Sequence, residues 1–156
     1  MNLLEAKSLA IELMDKHNLL DLGWHFSFDN SKRRFGVCKH RIKAIGLSAP
    51  LTELNDISQV KDTILHEIAH ALVGANEGHN WVWKQKAIEI GCNGERCYSR
   101  IDVEMPKGNY QAICPNCKHI HNKYKAPRKT VRQSCGVCSN GKFSVDKLLV
   151  WEKIKK

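Results

Sequence analysis

The sequence predicts an α+β core followed by a small cysteine-knuckle module. Three observations carry this: helical periodicity over residues 3–17 and 56–73, period-two alternation between residues 24 and 47, and two Cys-x2-Cys pairs confined to the last third. At 156 residues and 42% hydrophobic content, the chain has room for one compact domain and a satellite, not for two large domains. The boundary is expected between Met105 and Gly108, giving a core over residues 1–105 and a module over 106–156.

In chain order, Leu3, Ala6, Leu9, Ala10, Leu13 and Met14 recur at spacings of three and four and predict an amphipathic helix. Trp24, Phe26 and Phe28 alternate with polar residues, and Phe35, Val37, Ile45 and Leu47 follow a turn-forming DNSKRR stretch; two or three short antiparallel strands are expected. Pro50 closes that region. A second helix is expected over Asp56–Val73, with Val60, Ile64, Leu65, Ile68, Ala69 and Leu72 as its apolar stripe. A third runs from His79 or Asn80 to Gly91, after which helical periodicity disappears.

No apolar run approaches the roughly 18 residues of a membrane span. The segment MNLLEAKSLAIELMDKH is charged throughout, unlike a signal peptide, so a cytoplasmic protein with no membrane association is expected. In a reducing compartment, seven cysteines point to metal binding rather than to disulfides. The net charge of +9 is uneven: residues 1–105 carry −1 and residues 106–156 carry +10. A compact basic segment suits a polyanion, nucleic acid first, although a solubilising tail is the plainer reading of charge alone.

His66-Glu67-Ile68-Ala69-His70 is an HExxH motif on the second helix. Residues four apart share a helix face, so two imidazoles can hold one metal with a carboxylate beside it. Zinc on neutral imidazoles activates water, and Glu67 is the base that takes its proton. The motif lies in an apolar run, ILHEIAHALVG, where unpaired polar groups are costly to bury. A catalytic zinc needs a third protein ligand. Val73 and Asn76 occupy the glycine and histidine slots of HExxHxxGxxH, which excludes that class. The candidates are His79, after a glycine-containing turn, then Glu89, nineteen residues beyond His70, and more weakly Glu77.

With Gly78-His79 and Trp83 following the HExxH, and Arg41-Ile42-Lys43-Ala44-Ile45-Gly46-Leu47-Ser48 preceding it, the chain resembles the SprT-like family over roughly residues 3–138. The resemblance implies a zincin-like fold, His66, His70 and His79 as zinc ligands, and Glu67 as general acid/base. For Spartan-like members it implies cleavage of proteins bound or crosslinked to DNA, a DNA-repair activity. Members often carry glycine after the third histidine. Asn80 stands here, a residue that tolerates the left-handed backbone such a turn would use.

Cys114-Pro115-Asn116-Cys117 and Cys135-Gly136-Val137-Cys138 form C-x2-C-x17-C-x2-C, the spacing of a four-cysteine zinc ribbon. Such a site is structural and supplies folding free energy to a segment with few large apolar side chains. Between the pairs, Lys123, Tyr124, Lys125, Arg128, Lys129 and Arg132 are candidate nucleic-acid contacts, the cations for phosphates and the aromatic for an unpaired base. His119 and His121 are possible substitutes for a cysteine ligand. Cys38 is expected as a small buried apolar residue, and Cys92 and Cys97 receive no function. Tyr98 and Arg100 are candidate oxyanion stabilisers.

The sequence thus points to a monomeric zinc metalloendopeptidase with one catalytic and one structural zinc, acting on DNA-associated proteins and partnered by single- or double-stranded DNA. It would be nucleoid-associated or nuclear if DNA-directed. A non-catalytic, zinc-containing DNA-binding or regulatory protein is the alternative, and a hydrolase of small amides is a third reading.

Overall fold

The computed structural model describes residues 1–96, 103–128 and 130–154. The chain divides into two compact units, Met1–Pro106 and Lys107–Lys156. In chain order the first contains α1 (Leu3–Lys16), β1 (His25–Asp29), β2 (Gly36–Lys39), a 3-10 turn at His40–Ile42, β3 (Ala44–Ser48), α2 (Ala49–Leu54), α3 (Ile57–Val73) and α4 (Trp81–Glu89). This is an α+β arrangement of four helices on a small sheet.

The helix ends follow from local chemistry. Asp56 caps α3 by accepting from the backbone N–H groups of Ser58 and Gln59, while the Gln59 side chain accepts from the Asp56 N–H, a reciprocal capping box. Its C-terminus closes at Gly74, whose φ of 95° suits glycine and whose N–H returns to His70 O. Helix α2 lies where the sequence suggested only a break. Ser48 caps it by accepting from Leu51 N, and Pro50 falls in the first turn, where a missing N–H leaves no hydrogen bond unmade.

The sheet order is β1-β3-β2. Strand β2 pairs antiparallel with β3, Cys38 opposite Ile45, but β1 pairs parallel with β3, Phe28 opposite Leu47. The expectation of an antiparallel sheet is corrected accordingly. The chain crosses from β1 to the far edge as β2, turns through His40–Ile42 and a left-handed Lys43, and returns between the two. Side-chain alternation is the same in either arrangement, so the pattern could not reveal the direction. All five residues of central β3 are buried. The core joins Ala6, Ala10, Leu13 and Met14 of α1, Val60, Ile64, Leu65 and Ile68 of α3, and Trp83 and Ala87 of α4 to Phe35, Ile45 and Leu47.

The second unit is a three-stranded antiparallel sheet, β4 (Tyr110–Ile113), β5 (Ile120–Lys123) and β6 (Glu152–Lys153), in the order β5-β4-β6, with a 3-10 turn at Val145–Lys147. Its buried apolar residues, among those described, are Ala112, Cys114 and Cys135, while Phe143, Val145 and Val150 are exposed. Apolar burial of that size cannot hold fifty residues together, so another source of stability is required. Across both units, no described helix is long and apolar enough to cross a membrane.

Candidate metal centres

Helix α3 runs under the sheet, packed on β2 and β3 and flanked by α1 and α4. His66 and His70 lie one turn apart on it, with ring centroids separated by 5.1 Å. After Gly74 the chain turns back at Gly78, whose φ of +48° is a left-handed conformation, and this delivers His79 to the same place. His79 Nε2 lies 2.9 Å from His66 Nε2 and 3.1 Å from His70 Nε2. Asn80 is not left-handed: with φ −79° and ψ −169° it is extended and caps α4, accepting from Trp83 N at 3.1 Å. The left-handed conformation expected at Asn80 is therefore corrected; the turn takes it two residues earlier, at Gly78.

Trp83, only 1% exposed, is a wall shared by all three imidazoles. Its ring centroid lies 4.6 Å from His66, 5.2 Å from His70 and 4.6 Å from His79, near-parallel to His70 and edge-on to His79. Burial and the neighbouring imidazoles push His66 and His70 down to about 4, so both are neutral, with lone pairs available, at pH 7. His79 is lowered by burial and by Arg96. Glu67, 7% exposed, goes the other way: burial raises it to about 8, against the opposing pull of Arg34 and the Cys38 backbone N–H.

Three neutral nitrogens fit zinc. With Zn–N near 2.0–2.1 Å, tetrahedral ligand atoms stand about 3.3 Å apart, and the observed separations are a few tenths of an ångström tighter. The rival ligands lie elsewhere. Glu89 pairs with Lys86 at 2.6 Å on the exposed side of α4, and Glu77 accepts from Asn80 Nδ2 at 2.7 Å.

The three histidines and Glu67 open into a cleft of about 680 Å³, whose lining includes Arg34, Gly36, Cys38, His40 and Arg96. None of these five is a site residue in the sequence reading, since each comes from a loop or edge strand that only the tertiary fold brings to α3. The one available signal is a glycine inside an otherwise regular strand. Cys38, expected as core, is half-buried on the cleft wall with its Sγ 3.5 Å from His40 Nε2. Cys92 is buried, its thiol directed at Asp62 O. Cys97, Tyr98 and Arg100 lie outside the described residues.

In the second unit, Cys114, Cys117, Cys135 and Cys138 converge. Cys114 and Cys138 sulfurs are 3.7 Å apart and those of Cys117 and Cys135 3.6 Å, far beyond a disulfide bond and close to the roughly 3.8 Å edge of a tetrahedron with 2.3 Å Zn–S bonds. Burial works against ionising Cys114, but backbone N–H groups of Cys117 and Asn116 outweigh it and hold its thiol down to about 6. His121 Nε2 reaches Cys135 Sγ at 3.2 Å, beside rather than among the four thiols. The donor set fits a thiolate-bound zinc.

The basic residues divide. Lys123 is engaged within the unit, its ammonium 4.4 Å from the Trp151 ring centroid and hydrogen-bonded to Gln133. Tyr124 is half-buried, and Lys125, Arg128 and Arg132 are exposed along the segment joining β5 to the second cysteine pair. Lys129 lies outside the described residues.

No curated protein matches the chain. The family model of the SprT-like family matches residues 9–105, from α1 through the HExxH helix and the Gly-His turn to the end of the first unit. The match covers more than half of the chain and contains the whole histidine cluster, and on that basis the chain belongs to the SprT-like family.

Proposed function

We propose that the protein is a zinc-dependent metalloendopeptidase with a zincin-like core, in which His66, His70 and His79 hold the catalytic zinc and Glu67 is the general acid/base. The observation that carries this reading is the convergence of three neutral imidazole nitrogens beside a buried carboxyl in an open cleft. Membership of a family of metalloprotease type supports it. When bound, zinc supplies a Lewis acid that polarises the scissile carbonyl and makes the attacking water more acidic. Glu67 takes a proton from that water and delivers it to the amide nitrogen as the C–N bond breaks. Burial alone favours the protonated Glu67, and the positive charge of a zinc held beside it would favour the carboxylate that the base role needs. Trp83 fixes the ring planes of the three ligands, so little order is lost when the site is loaded.

The substrates in this reading are proteins bound or crosslinked to DNA. Support comes from the second unit, where a structural zinc on Cys114, Cys117, Cys135 and Cys138 would present Lys125, Arg128 and Arg132 to phosphates. Cleavage of fluorescein-labelled casein, with and without DNA, by wild type and Glu67→Gln protein of equal zinc content tests the chemistry. Loss of cleavage in the variant is expected, and full cleavage by it would overturn the role of Glu67. DNA affinity across a salt series tests the second unit: affinity falling steeply with salt is expected, and a flat response would contradict phosphate contacts.

A further inference from the structure

Gly36 opens β2 between Phe35 and Val37, in a strand where glycine forfeits packing and backbone order. Conformation does not require it, because its φ lies outside the left-handed region and any residue adopts this backbone. Space does. A Cβ at Gly36 would stand 2.5 Å from Glu67 Oε1, 2.8 Å from Glu67 Cγ and 2.8 Å from Thr63 Cγ2. Thr63 and Glu67 are one turn apart on one face of α3, so strand and helix meet at this glycine. Thr63 cannot swing its methyl aside without losing the 2.8 Å bond from its Oγ1 to Gln59 O. The flexible neighbour is the Glu67 carboxyl.

The ladder reinforces the contact. Strand β2 is an edge strand, and Ser48 N donates to Phe35 O. In an antiparallel pair, alternate residues then turn their polar groups outward, here Gly36 and Cys38. The outward N–H of Cys38 acts on the Glu67 carboxylate. We infer that Gly36 is a positioning residue for Glu67, its missing side chain letting the carboxyl lie against the edge of β2. This rests on the reading of Glu67 as general acid/base.

Gly36→Ala tests it. Glu67 gives way while the Thr63 methyl stays, so the variant is less stable than wild type, and in its folded, zinc-loaded fraction kcat on fluorescein-labelled casein falls by about 100-fold, the low end of general acid/base contributions. KM stays within about twofold. In a Glu67→Gln background the same change has no further effect. If Gly36→Ala fails to fold, adding Thr63→Ser and Glu67→Ala, which together remove all three contacting atoms, restores the thermal transition, and no gain from Glu67→Ala over Thr63→Ser alone overturns the inference. The contact is also read without catalysis, as a nuclear Overhauser effect between Gly36 Hα and Glu67 Hγ protons. Wild-type kcat in Gly36→Ala, an equal loss in the Glu67→Gln background, or absence of that effect overturns the inference. A wild type that shows the effect but cuts no casein contradicts the general-base reading and leaves the contact standing.

Discussion

The Nε2 atoms of His66 and His79 lie 2.9 Å apart although they belong to different segments, one mid-helix and one in a turn. The turn makes this possible. Gly74 ends α3, Gly78 adopts the left-handed conformation, and Asn80 starts α4 at once, so the loop between the helices has little freedom to carry His79 elsewhere. The three imidazoles converge through this short turn, which in the proposed reading limits the ordering cost of binding a metal.

The cap at Asn80 gives a direct check on that turn. Asn80→Ala removes the acceptor for Trp83 N and is expected to lower stability by about 1 kcal/mol, whereas Asn80→Gly costs only a few tenths. Thermal unfolding of the first unit reads this as a drop of about 4–8 °C for alanine. A glycine variant more stable than wild type would instead mean that position 80 is left-handed.

Trp83→Ala removes a fully buried ring and the wall behind three imidazoles, and the expected loss is about 3–5 kcal/mol. Trp83→Phe keeps an aromatic surface there and is expected to retain zinc with a milder loss. Equal effects of the two substitutions in denaturant titrations and zinc-binding assays would contradict the wall.

Chelation separates the two units. The second has Ala112, Cys114 and Cys135 as its buried apolar residues among those described, so removal of metal is expected to unfold it. The first keeps its helical core. Amide spectra recorded before and after a strong chelator should lose dispersion only for residues 107–156, and persistence of those signals would show that the unit folds without metal.

Cys38 and Cys92 bear on pH dependence. Burial raises both thiols to about 12, with Glu67 adding to the effect at Cys38. Between pH 9 and 12 the unfolded thiols ionise while the folded ones stay protonated, so the folded state binds more protons and stability falls as pH rises through that window. At pH 8 both should resist iodoacetamide in the folded protein, as mass spectrometry would show. Rapid alkylation of either at that pH would contradict the burial described.

The helix α3 was legible because periodicity, a capping residue and a terminal glycine agree within one segment, and its HExxH placed His66, His70 and Glu67 within one turn by spacing alone. Short elements were not. Pro50 reads as a break until Ser48 is known to cap it, and the direction of β1 depends on which strand lies beside it. His79 could be ranked above Glu77 and Glu89 but not separated from them by pattern, since a turn decides where its ring goes. Cys38 and His40 carried no local signal, and Gly36 only that of a glycine in a strand, because their proximity to α3 exists only after β2 has paired with β3. Lys123 belonged by composition with its basic neighbours, and only the tertiary contact with Trp151 shows it turned inward.

Zinc content per chain, measured in wild type, His79→Ala and Cys135→Ser, tests the two-centre account most directly. Two zincs in the wild type, falling to one in each variant, is the predicted result. A single zinc in the wild type, or two retained in His79→Ala, would contradict it.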